Sequence, residues 1–183
     1  MATRTKKYWL AGNPNAEITN AEVTELGSIS ETDFGVVSDL TASADEINAK
    51  CKVVTEAVTG ANVITASENG THFVLNSATA FASTLPAVAA GLEFWFHIGA
   101  TEPGAANTHT VVTNGSSNVI VGNVCSAEDA AGSVATVTDA DTVSFVAAKA
   151  VHGDFVHVWC DGTNWYLDGM CKVQDGITLT QAD

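Results

Sequence analysis

Charge is scarce in this sequence, and positive charge is scarcer still. Only 15% of the 183 residues are charged, against about 25% in ordinary globular domains. Seven Lys and Arg stand against 21 Asp and Glu, a formal net charge of −14. A general nucleic-acid binder needs a basic footprint, so no nucleic-acid partner is expected. Long apolar runs are missing too. Nothing approaches the ~18–20 residues of a membrane-spanning helix, and MATRTKKYWLAG lacks the apolar stretch of a secretory signal. We therefore expect no membrane partner, and assembly in the cytoplasm.

Chemistry-bearing patterns are equally sparse. Four cysteines stand at 51, 125, 160 and 171 without a CxxC pair, so structural-zinc spacing is absent. Cys160 and Cys171 flank a predicted hairpin and could in principle meet; buried reduced thiols are the simpler expectation for a cytoplasmically assembled chain. Histidines at 72, 97, 109, 152 and 157 show no HExxH or other paired metal spacing, and His152 and His157 lie too far apart on one strand to chelate together. No GxSxG elbow or GxxxxGK phosphate loop occurs. Asp139-Ala140-Asp141 and Glu128-Asp129 offer the oxygen ligands calcium prefers, but as turn residues they need no ion. Asn69-Gly70-Thr71 and Asn114-Gly115-Ser116 fit the glycosylation sequon and read as hairpin turns. The expectation is a protein without catalysis, cofactor or metal.

What remains is rich in Ala, Thr, Ser, Asn and Gly, with 46% hydrophobic residues. A polar but thinly charged surface of this kind suits extracellular, viral and fibrous β-proteins. Three regions follow in order. Residues 1–17 read as a docking arm: Arg4, Lys6 and Lys7 precede Tyr8, Trp9 and Leu10, and exposed aromatics without a partner surface are costly. Residues 18–59 read as short helical pieces, opened by capping boxes at Thr19–Glu22 and Ser43–Glu46. Each is too short to stand alone, so this region needs a neighbour.

Residues 60–183 read as an antiparallel β-sandwich or jelly-roll-like barrel of nine or ten short strands. Asn62–Ala66 and Thr71–Leu75 flank Ser67-Glu68-Asn69-Gly70. Strands at 108–113 and 118–121 flank Asn114-Gly115, and strands at 134–138 and 142–146 flank Asp139–Asp141. The first two groups read as hairpins and the third as strands joined by a turn. In Leu92–Ile98 strict alternation puts Leu92, Phe94, Phe96 and Ile98 on one side, with Glu93, Trp95 and His97 on the other. In Phe155–Cys160, Val156, Val158 and Cys160 oppose Phe155, His157 and Trp159. If the valines join Phe94 and Phe96 inside, then Trp95, His97, Phe155, His157 and Trp159 all face outward. Either the helical region of residues 18–59 covers that face within one chain, or the five form a candidate subunit interface, since interfaces are rich in aromatics.

Several segments carry a resemblance. Leu40-Thr41-Ala42-Ser43-Ala44-Asp45-Glu46-Ile47-Asn48 resembles a TASAAELN element of tailed-bacteriophage structural proteins. Thr84-Leu85-Pro86-Ala87-Val88-Ala89-Ala90-Gly91-Leu92-Glu93-Phe94 resembles an LPAAAAGxxF strand-and-turn of phage head and tail β-domains. Gly153-Asp154-Phe155-Val156 and Asp161–Tyr166 are similar to the closing hairpin of the same modules. The resemblance implies a virion structural protein. In its most concrete form this is a capsid decoration or cement protein on the head surface, with the major capsid protein and further copies of itself, as a homotrimer, for partners. The alternative it leaves open is a tail or head-fibre module that binds a receptor or glycan.

Overall fold

The computed structural model describes residues 53–128 and 134–181. The expected docking arm and the helical pieces up to residue 52 lie outside these residues. Lys52–Asp183 forms one compact unit, and its described residues carry twelve strands. In chain order these are β1 (Val54–Val58), β2 (Asn62–Val63), β3 (Thr71–Leu75), β4 (Phe81–Thr84), β5 (Glu93–Ile98) and β6 (His109–Val112). Then come β7 (Ile120–Ser126), β8 (Val134–Ala140), β9 (Thr142–Phe145), β10 (Phe155–Cys160), β11 (Trp165–Cys171) and β12 (Ile177–Thr180). The first strand lies in a stretch expected to be helical; Val54, Thr55 and Val58 are β-branched and suit a pleated surface.

Two sheets enclose one apolar cluster. The larger has the order β1-β3-β5-β10-β11-β7-β8, the smaller β12-β9-β6-β4-β2. The sandwich class agrees with the sequence reading, but the antiparallel topology does not. Of the ten strand pairings, β1–β3, β3–β5, β2–β4, β4–β6 and β7–β11 are parallel. The cause lies in the turns. Over the first seven strands the chain alternates between the sheets, so successive strands within a sheet run the same way. A turn signal marks where the chain bends, not whether it stays in its sheet.

Asn69-Gly70 shows this well. Asn69 has φ −50° and ψ 132° and Gly70 has φ +81°, which fits the centre of a type II turn and not the I′ turn of a tight hairpin. The bend carries the chain from β2 in the small sheet to β3 in the large one. The Asn69 side chain then fixes the corner, its amide donating to the Gly91 carbonyl at 3.2 Å and its Oδ1 accepting from the Glu93 N–H at 2.7 Å. Asn114-Gly115 and Asp139–Asp141 are likewise corners between sheets, from β6 to β7 and from β8 to β9.

The hairpin at β10–β11 is real. Its turn is held by Asp161, whose Oδ1 accepts from the Thr163 and Asn164 N–H groups at 2.7 and 2.8 Å. Cys160 pairs with Trp165 beside this turn, whereas Cys171 lies beyond the Phe155–Met170 pair at the other end. Six residues of strand at about 3.3 Å each separate the two thiols, so they cannot meet. Cys125, Cys160 and Cys171 are free.

The core follows the alternation. Phe73, Phe94, Phe96, Val156, Val158, Trp165 and Leu167 from the large sheet are buried, as are Val111, Val143, Phe145 and Ile177 from the small one. At Gly122 the packing is tightest: a Cβ there would lie 1.9 Å from the Leu167 carbonyl oxygen. Only glycine lets β7 and β11 pair at this point.

Candidate interaction face

The central strands of the large sheet bring the outward residues into three cross-strand rungs. The registers align His72 with Trp95, Trp95 with His157, and His157 with Asp168. The next rung runs Val74, His97, Phe155, Met170, Cys125. A third runs Glu93, Trp159, Tyr166, Val121. All five residues expected at the interface lie on this face; Trp95, His97, Phe155 and His157 adjoin one another, and Trp159 stands in the third rung between Glu93 and Tyr166.

Their rings stand on the sheet like books on a shelf. Trp95 stacks on His157 with centroids 4.1 Å apart and an interplanar angle of 17°. On its other side His72 stacks at 5.3 Å and 6°. Both faces of the indole are thereby covered, and only its edge is offered outward. Trp159 stacks on Tyr166 at 4.4 Å and 17°, and Phe155 leans against both Trp95 and His97 at 5.9 and 5.8 Å. Trp159 is 42% exposed and Met170 51%, while Trp95, His97, Phe155 and His157 are half-buried.

Polar contacts tie the array together. His157 Nε2 donates to Glu93 Oε1 at 2.9 Å, an ion pair when the imidazole is charged. His72 Nδ1 and His97 Nε2 lie 3.3 Å apart, one donating to the other. Burial first, and the neighbouring His72 second, push the His97 imidazole below its usual pKa. At the edge of the array Tyr166 donates its hydroxyl to Asp161 Oδ2 at 3.1 Å. Backbone N–H groups, those of Asn164 and Thr163 foremost, hold the Asp161 carboxyl below its ordinary range. The same carboxylate raises the Tyr166 phenol by hydrogen bond and by charge.

Sequence reasoning missed His72, Tyr166 and Met170 as members of this face. THFVL holds a single histidine, and only the register of β3 on β5 places it against Trp95. The remaining histidines serve elsewhere. His109 is fully buried against Phe81, with ring centroids 4.2 Å apart, and donates through Nε2 to the Ser77 carbonyl at 2.8 Å. Burial lowers its pKa despite that bond. The backbone N–H of His152 donates to Glu102.

Two clefts open at the sandwich ends, about 190 Å³ beside Trp165 and Pro86 and about 220 Å³ beside Phe155 and Met170. Both fall below the ~300 Å³ at which small-molecule pockets begin. Among the described residues no three His, Cys, Asp or Glu side chains converge as a metal cluster, and no helix is long and apolar enough to cross a membrane. No protein family, curated protein or solved structure matches the chain.

Proposed function

We propose that this chain is a structural assembly protein that associates with copies of itself through the outer face of β3, β5, β10 and β11. One observation carries the reading. Seven aromatic rings or imidazoles, with Met170 and Val74 beside them, form an array on the side of the sheet away from the core. A contiguous apolar patch is a site of contact, and its Trp, Tyr, Phe and Met content is that of an interface centre. Closed symmetry suits such a self-complementary patch.

The resemblance of the sequence to tailed-phage structural proteins gives the association a setting. The chain then acts as a capsid decoration protein on the outer head surface, a homotrimer whose basic, aromatic arm of residues 1–17 binds the major capsid protein. Many copies on one shell hold by avidity, so no single contact need be strong. The charge distribution supports a division of labour. Five of the seven basic residues precede residue 53, and residues 53–181 hold twelve acidic against two basic side chains. Sedimentation velocity across a hundredfold concentration range tests the self-association. The expected result is a trimer; a monomer throughout overturns the interface.

A second reading, glycan binding by a tail or fibre module, has one observation in its favour. Trp159 has Tyr166 against one ring face and only Glu93 across the neighbouring strand on the other. Sugars stack on open ring faces, and Trp95, closed on both sides, offers none. A glycan array on the full chain decides: hits that Trp159→Ala abolishes favour this reading, and an empty array removes it.

A further inference from the structure

We infer that His72 and His97 form a two-ligand site for a divalent transition-metal ion of the zinc type, on the outer face of β3 and β5. The inference stands on the geometry of that pair and does not depend on self-association.

The register of the parallel β3–β5 pair sets Trp95 opposite His72 and Val74 opposite His97. The two imidazoles are thus diagonal neighbours on one face. Their rings lie nearly parallel, 8° apart, and present Nδ1 of one and Nε2 of the other at 3.3 Å. Two nitrogens each ~2.0–2.1 Å from a tetrahedral ion stand about 3.3–3.4 Å apart. The pair already has the edge length of such a site. Without metal, a single proton must be shared between two lone pairs aimed at one another. An ion uses both lone pairs once that proton has moved to the other nitrogen of its own ring and both rings have turned so that the lone pairs converge on the ion.

Trp95, Phe155 and Val74 adjoin the pair without offering a competing cation. Among the described residues no third His, Cys, Asp or Glu joins them. The remaining positions therefore belong to water or to an incoming ligand, one more than in an open zinc site with three protein ligands. Neutral imidazole is a good ligand for zinc, copper and nickel and a poor one for magnesium or calcium.

The test uses the untagged full chain, stripped with EDTA, titrated calorimetrically with zinc chloride at pH 8. One ion per chain is expected, with no heat from magnesium chloride. His72→Gln and His97→Gln should each weaken binding about tenfold or more, while His157→Gln, on the same face but facing Glu93, should not. At pH 5.5 binding should fade, because protons compete for the same lone pairs. A measurement on the unaltered chain guards against variants that fail to fold. On zinc addition, ring ¹⁵N resonances should report coordination through Nδ1 of one histidine and Nε2 of another, with the other three rings unmoved. Equal zinc affinity in His72→Gln and wild type, or ring shifts absent from this pair, would overturn the site.

Discussion

Replacing Trp159 with alanine removes the most exposed ring of the interaction face while leaving the buried side of β10 intact. A tryptophan side chain presents up to about 250 Å², and Trp159 is 42% exposed, so about 100 Å² is open to a partner. At ~25 cal/mol per Å² that area contributes about 2.5 kcal/mol to association, a loss of about 70-fold in affinity per contact. The cost to the fold is of a different size. What the isolated chain loses is chiefly the stack on Tyr166, worth about 0.5–1.5 kcal/mol, or a few degrees in melting temperature. Sedimentation and thermal melting on the same sample therefore separate the two effects. Phe94→Ala, one strand away and buried, is the contrasting control. It should cost about 3–5 kcal/mol of fold stability and remove association only by unfolding the chain. A Trp159→Ala protein that associates within threefold of wild type would refute the assignment of this face.

Gly122→Ala should destabilise the sandwich by several kcal/mol, because the new methyl meets the Leu167 carbonyl at 1.9 Å and backbone cannot move aside as a side chain can; a urea midpoint within error of wild type would count against the β7–β11 register. Stability should fall on acidification below about pH 6.5, the ordinary histidine value. His97 and His109 have lowered pKa values in the fold, so the unfolded chain takes up protons that the folded chain refuses, and their contribution, complete above that pH, is lost as the pH falls through the folded values. Urea midpoints at pH 8, 7, 6 and 5 check this, and a flat or rising series sinks it; His109→Phe should flatten the slope. Deleting residues 1–17 should abolish binding to purified phage heads while leaving the melting transition of the β unit in place. Retained head binding in a pull-down would remove the docking-arm assignment.

How far the molecule could be read in advance depended on which signal was local. Alternation within Leu92–Ile98 and Phe155–Cys160 is a property of single strands, and it sorted Phe94, Phe96, Val156 and Val158 from Trp95, His97, Phe155, His157 and Trp159. The path of the chain between strands is not local. Gly70 and Gly115, both with positive φ, would serve a hairpin or a corner equally well. What separates the two outcomes is whether the following strand finds its partners beside the last strand or across the core. His72 illustrates the same limit for the site. It lies 25 residues from His97 with no motif spacing, and only parallel pairing of β3 on β5 brings their nitrogens within 3.3 Å.

The position of the β10–β11 hairpin has a consequence for how the protein is made. In sequence it follows both halves of the larger sheet: β1, β3 and β5 on one side, β7 and β8 on the other. On the ribosome those halves emerge first, each ending in an open edge, β5 or β7, that the hairpin later occupies. Nothing in the large sheet joins them until residue 171 is available. Until then Phe94 and Phe96 lack the valines that cover them, and the open edges are templates for pairing with another nascent chain. The hairpin acts as a keystone set last. Premature termination before Gly153 should therefore leave aggregating half-sheets in place of a smaller folded domain.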